Sequence, residues 1–135
     1  MTARKSLSLT REPQAVRAAR TALDALGGDF PRRRLHDASV CLSELVSNAI
    51  QHASRGKLEL TLALDGGRLR VEVADPGRGF DPGPSRKGDE GGWGLLIVDH
   101  LADDWGVEGG ERTVVWFEMA PEDGRLPTRG GRVAE

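Results

Sequence analysis

Apolar and polar positions alternate with a period of two in "KSLSLT" (residues 5–10), which predicts a short strand. The next segment, "REPQAVRAARTALDALGG", changes to an Ala-rich helical periodicity. Pro13 stands near its start and Gly27-Gly28 at its end, the usual helix punctuation. "DFPRRRLHDASVCLSELVSNAIQHAS" opens with Asp29 as a candidate cap and Pro31 in the first turn, and predicts one long helix to about Ser54. "KLELTLAL" and "RLRVEVAD" alternate again on either side of "DGG", which predicts a β-hairpin. "PGRGFDPGPSRKGDEGG" is rich in glycine and proline and too long for an ordinary connector, so it reads as a functional lid. A helix follows in "WGLLIVDHLADDW", then two short strands in "GVE" and "RTVVWFEM" around Gly109-Gly110.

The resulting order, β-α-α-β-β-loop-α-β-β, lacks the βαβ alternation of a doubly wound parallel fold. It predicts an α/β fold: a two-layer sandwich with a mixed, mostly antiparallel sheet and three helices on one face. One domain is expected over residues 1–120, and the polar, Gly/Pro-rich stretch 121–135 is expected to be a disordered tail. Trp105 and Trp116 are assigned to the core.

Composition narrows the class. Apolar residues make up 38% and charged residues 30% of the 135 positions, as in globular domains that dissolve in water. The net charge of −2, from 19 basic and 21 acidic side chains, gives no electrostatic case for nucleic acid or a membrane surface as partner. The start lacks an apolar signal region, and no run approaches the roughly 20 apolar residues of a membrane span. A lone cysteine, Cys41, inside an apolar helix reads as a buried, inert thiol. A cytoplasmic location is therefore expected.

Three segments carry candidate chemistry. In "CLSELVSNAIQHA", Glu44, Asn48 and His52 recur every four residues. That spacing drifts by only about 40° per step, so they share one helix edge. A solvated edge would explain this, but the flanking apolar residues leave little helix surface for water. Glu and Asn oxygens one turn apart suit a hard cation such as Mg²⁺ beside water and phosphate, and Glu44 could instead act as a general base. In "VADPGRGFDPG", Asp75 ends a strand, where a carboxylate can accept from an exocyclic amine such as N6 of adenine; an ordinary Asp-Pro-Gly turn is the competing explanation. Gly77 and Gly79 follow at a spacing that permits close backbone approach. In "DEGGWGLLIVDHL", Gly91, Gly92 and Gly94 precede an apolar helix whose N-terminal N–H groups could face phosphate. Neither a P-loop nor a Rossmann fingerprint is present.

In order and spacing, these segments resemble the GHKL (Bergerat-fold) ATP-binding domain of gyrase-type topoisomerases, histidine kinases and MutL. "ELVSNAIQHA" is similar to its N-box, "DPGRG" to its D-x-G-x-G box, "GGWGL" to its second glycine box, and "RTVVWFEM" to its final strand. The likeness spans roughly residues 5–120, so residues 1–120 would form a histidine-kinase-like ATPase domain. It implies ATP and Mg²⁺ as cofactors. Glu44 would be the general base, and Asn48 would bind nucleotide and ligate Mg²⁺. Asp75 would read the adenine amine, assisted by Thr113. Gly77 and Gly79 would shape the adenine pocket, and Gly92 and Gly94 would let lid and helix start close over phosphate. His52 would cap or pack at the pocket edge, and Trp93 would pack against the lid or core.

A small domain without a phosphoacceptor dimerisation helix most resembles the anti-sigma-factor serine/threonine kinases. The resemblance implies a regulator that binds a sigma factor and phosphorylates a serine on a small antagonist protein. Relatives of this kind often pair, so a homodimer is also an expectation. One departure stands out: that branch often carries a basic residue before the second glycine box, and here Asp89-Glu90 occupies the place, with Arg86 and Lys87 a few residues earlier. The alternative is a catalytically weak or inactive module that grips its partner according to bound nucleotide.

Overall fold

The computed structural model describes residues 2–28, 30–52, 56–75, 90–122 and 132–133. The elements are β1 (Thr2–Leu9), α1 (Gln14–Leu26), α2 (Arg32–His52), β2 (Leu58–Asp65), β3 (Arg68–Asp75), α3 (Glu90–Leu101), β4 (Asp104–Glu108), β5 (Thr113–Met119) and β6 (Arg132–Val133). Six strands form one sheet in the order β1-β2-β3-β5-β4-β6. Neighbours are antiparallel except β4 and β6, which run parallel.

Strand parity decides which side chains meet the helices. Cross-strand partners Leu60 and Val73, Leu62 and Val71, Val71 and Phe117, and Leu69 and Met119 all point to one face. They join buried residues of all three helices, Ala19 and Leu23 of α1, Cys41, Leu42, Leu45 and Val46 of α2 and Val98 of α3, and Ala102 just past the end of α3. α2 lies between α1 and α3 and touches the central strands β3 and β5. The expected two-layer sandwich, with three helices on one face of a mostly antiparallel sheet, is what forms.

The β2–β3 hairpin turns on Gly66 and Gly67, with φ of +63° and +83°. Two successive positive φ values match the twist of the flanking strands and are nearly cost-free only for glycine. The outer face carries the opposite parity. There Arg70 is hydrogen-bonded to Glu72 at 2.8 Å and to its cross-strand partner Glu118 at 2.7 Å. Burial alone would lower the Arg70 pKa, but these two carboxylates outweigh it and raise it.

Four expectations are revised. Trp116 is not in the core: it shares the outer parity of Val114 and Glu118, with Arg70 stacked 4.2 Å from its ring centre. Its indole lies so close to Gly106 that a Cβ there would sit 2.7 Å from the ring. α3 does not begin after the glycines; it starts at Glu90 and takes in Gly91, Gly92 and Gly94. Glycine accepts helical dihedrals at a cost of about 1 kcal/mol, and the buried Val98 anchors the helix nearer its far end, with buried Ala102 directly after it. That helix also stops at Leu101, so Trp105 belongs to β4, where it packs against the core. In the stretch expected to be a disordered tail, Arg132 and Val133 pair with Gly106 and Val107 of β4.

Candidate functional site

Near its C-terminal end, α2 supplies one wall of a slot. Its most buried stripe, Ala38, Cys41, Leu42, Leu45 and Val46, enters the core. Asn48 and Ala49, half-buried, flank that stripe and face the ends of β3 and β5. Alternation along β3 puts Asp75 on the same inward face as Val71 and Val73. Alternation along β5 likewise turns Thr113 inward with Val115 and Phe117, and Asp75 and Thr113 are direct cross-strand partners. Leu45, Asn48, Ala49, Val73, Asp75, Thr113 and Val115 together line the slot.

Four apolar residues with three polar ones, Asn48 from the helix wall and Asp75 and Thr113 from the strands, are the mixture that recognises a heteroaromatic ring with hydrogen-bonding edges. Asp75 and Thr113 are only 3% and 4% exposed, so either polar group acts in a low-dielectric setting where a hydrogen bond to a ligand counts for more than in water. Asp75 Oδ1 accepts a charge-assisted hydrogen bond of 3.0 Å from Nη2 of Arg11, in the segment joining β1 to α1. Arg11 also donates through Nη1 to Ala49 O at 3.3 Å and through Nε to Gly56 O at 2.7 Å. This contact is not legible locally, because Arg11 and Asp75 lie 64 positions apart.

The structure therefore brings Asn48, Asp75 and Thr113 to one slot. Glu44 lies one turn before Asn48 on α2, half-buried, and is not part of the slot wall. Gly92 and Gly94 fall within α3, which packs along α2. Gly77, Gly79, Arg86, Lys87 and Asp89 lie outside the described residues, as do the side chains of His52 and Trp93. Among the described residues, no cluster of three or more His, Cys, Asp or Glu could hold a metal ion. A divalent ion at Asn48 would thus need most of its ligands from phosphate and water, which is how Mg²⁺ is commonly held. Burial, reinforced by Asp37, pushes the Cys41 thiol up to about 12, so it stays protonated and unreactive. Among the described residues, no helix is long and apolar enough to cross a membrane.

Comparison with known proteins follows the same lines. The family description "Histidine kinase-like ATPase domain" matches residues 9–119. "Serine-protein kinase RsbW" of Listeria innocua is 26% identical over 118 residues, covering 73% of this chain and 75% of that protein. The protein of the same name from Bacillus velezensis is 28% identical over 121 residues, covering 76% of each. An uncharacterized Streptomyces coelicolor protein is 38% identical over 88 residues, covering 60% of this chain and 83% of that one. A solved structure of the RsbU and RsbW domains of a Mycobacterium tuberculosis protein superposes with a TM-score of 0.69 at 21% identity. That superposition covers 87% of this chain, which spans 32% of the solved one, and shows a shared fold. With 9–119 matched, the chain belongs to the histidine kinase-like ATPase domain family.

Proposed function

We propose that this protein is a cytoplasmic, ATP- and Mg²⁺-dependent protein serine/threonine kinase that phosphorylates a small antagonist protein and also binds a sigma factor. The observation that carries the reading is the convergence of Asn48, Asp75 and Thr113 on one mostly apolar slot. The relatives named as serine-protein kinases support the same reaction class.

In this reading the adenine ring enters between Leu45 and Ala49 on one side and Val73 and Val115 on the other. Asp75 accepts a hydrogen bond from the exocyclic amine, and Thr113 supplies a second polar contact at the same edge. Asn48 would hold Mg²⁺ through its amide oxygen, and the ion would supply neutralisation of charge on the phosphates. By the resemblance, Gly77 and Gly79 would shape the adenine pocket, and Gly92 and Gly94 would give the phosphates close access to backbone. The γ-phosphoryl group passes to the serine Oγ of the antagonist, ADP departs, and the serine proton goes to Glu44.

The test is transfer of label from γ-labelled ATP to a candidate antagonist, compared between wild type and Glu44→Ala. Wild type is expected to label a serine. The variant should bind ATP normally and lose about 10²–10⁴ in rate, the range for a positioned general base. Full-rate transfer by Glu44→Ala would remove Glu44 from that role. Sound ATP binding with no transfer by wild type would instead leave a nucleotide-dependent partner grip, the outcome that Asp89-Glu90 would favour.

A further inference from the structure

We infer that Arg11 is a positioning residue for base recognition: its guanidinium sets Asp75 and the helix wall opposite as one unit, and so determines selectivity for a 6-amino purine. The inference rests on the reading of Asp75 as the acceptor of that amine. It concerns a side chain outside all of the sequence segments that carry the proposed chemistry.

One planar guanidinium joins three separated pieces of chain. Nη2 meets Asp75 Oδ1 at 3.0 Å at the end of β3. Nη1 meets the carbonyl of Ala49 at 3.3 Å, and Ala49 is itself a wall of the slot. Nε meets the carbonyl of Gly56, just before β2, at 2.7 Å. Arginine's donors diverge in a rigid fork, so satisfying several at once fixes the group in its plane. The side chains of Arg11 and Asp75 are 15% and 4% exposed, which limits competition from water.

Two consequences follow for a ligand. A carboxylate held at one oxygen cannot rotate freely, so the direction in which it accepts from a base is set before the base arrives. Pre-set orientation of this kind lowers the entropic cost of binding and sharpens discrimination. The arginine also balances the charge of a carboxylate that would be costly to bury alone. A purine lacking the 6-amino group would offer Asp75 no hydrogen bond from the base, and a 6-oxo purine would bring an acceptor against an acceptor. Sites built to hydrogen-bond one group reject analogues without it for this reason.

A brace that only stabilised the fold would weaken all nucleotides alike, which gives a clean test. The measurement is the dissociation constant of ATP against that of purine riboside 5′-triphosphate, identical but for the missing amine, in wild type and Arg11→Ala. Wild type is expected to favour ATP by roughly 10–100-fold, the worth of one hydrogen bond to a charged group. In Arg11→Ala that ratio should fall several-fold or more, with affinity for the amine-free analogue little changed. Equal weakening of both nucleotides, with the ratio intact, would overturn the role of Arg11 while leaving Asp75 as the reader. A wild-type ratio near one would overturn the reading of Asp75 itself, and the inference with it. If Arg11→Ala does not fold, Arg11→Gln, which keeps the bulk of the stem but removes the charge and the fork, is judged by the same ratio.

Discussion

Among the described residues, two long-range arginine–aspartate pairs meet α2, one near each end, and they differ in what surrounds them. At the N-terminal end, Arg34 Nη2 lies 3.0 Å from Asp103 Oδ1, with side chains 4% and 5% exposed. Arg34 Nε donates to Ala120 O at 3.1 Å, and Asp103 Oδ2 accepts from Ala120 N at 2.7 Å. That corner ties α2 to the α3–β4 junction and to the end of β5. Towards the C-terminal end, Arg11 and Asp75 are also 3.0 Å apart, but Asp75 lines the slot. The same ion-pair chemistry closes one corner and furnishes the other. Whether such a pair is structural or functional depends on whether its carboxylate borders a cavity.

The contrast predicts opposite sensitivities. The largest effect is expected for Arg34→Ala, which strands a buried carboxylate. Its unfolding free energy, measured in urea, should fall by about 3–5 kcal/mol, the usual cost of breaking a buried pair from one side. Asp75→Asn should do the reverse: a roughly 10–100-fold loss of ATP affinity by calorimetry, from the lost charge-assisted hydrogen bond, with a smaller loss of stability than Arg34→Ala. If Asp75→Asn destabilised as strongly and left ATP binding unchanged, both corners would be braces and the distinction would collapse.

The smallest effect concerns Cys41, between the two corners on α2. Its folded pKa is raised, so its contribution to stability is intact below the ordinary thiol value of 9.0 and is lost as pH climbs towards about 12. Wild type should therefore lose stability above pH 9 faster than Cys41→Ala does. Parallel pH profiles would mean that the middle of α2 is less sealed than its ends.

Much of the slot could be read from parity. Asp75 sits two positions beyond Val73 in an alternating strand, and Thr113 two before Val115, so both point inward with the core. Of the four-residue stripe on α2, Asn48 lines the slot and Glu44 does not. The same parity applied to "TVVWFEM" sends Trp116 to the outer face with Val114 and Glu118, against its assignment to the core. The start of α3 was hidden because glycine marks a helix boundary in sequence, while its backbone is equally free to be helical. The two arginines were illegible for a different reason. Their partners lie 64 and 69 positions away, and nothing local distinguishes a cation that will be enclosed from one that stays in water.

Trp105 donates from Nε1 to Asp99 Oδ1 of α3 at 2.9 Å. The chromophore on β4 is thereby tethered to the helix whose opening turns contain Gly92 and Gly94. Any shift that unseats α3 would break this tether and change the polarity around the indole, so the molecule carries its own optical gauge of how that helix is docked.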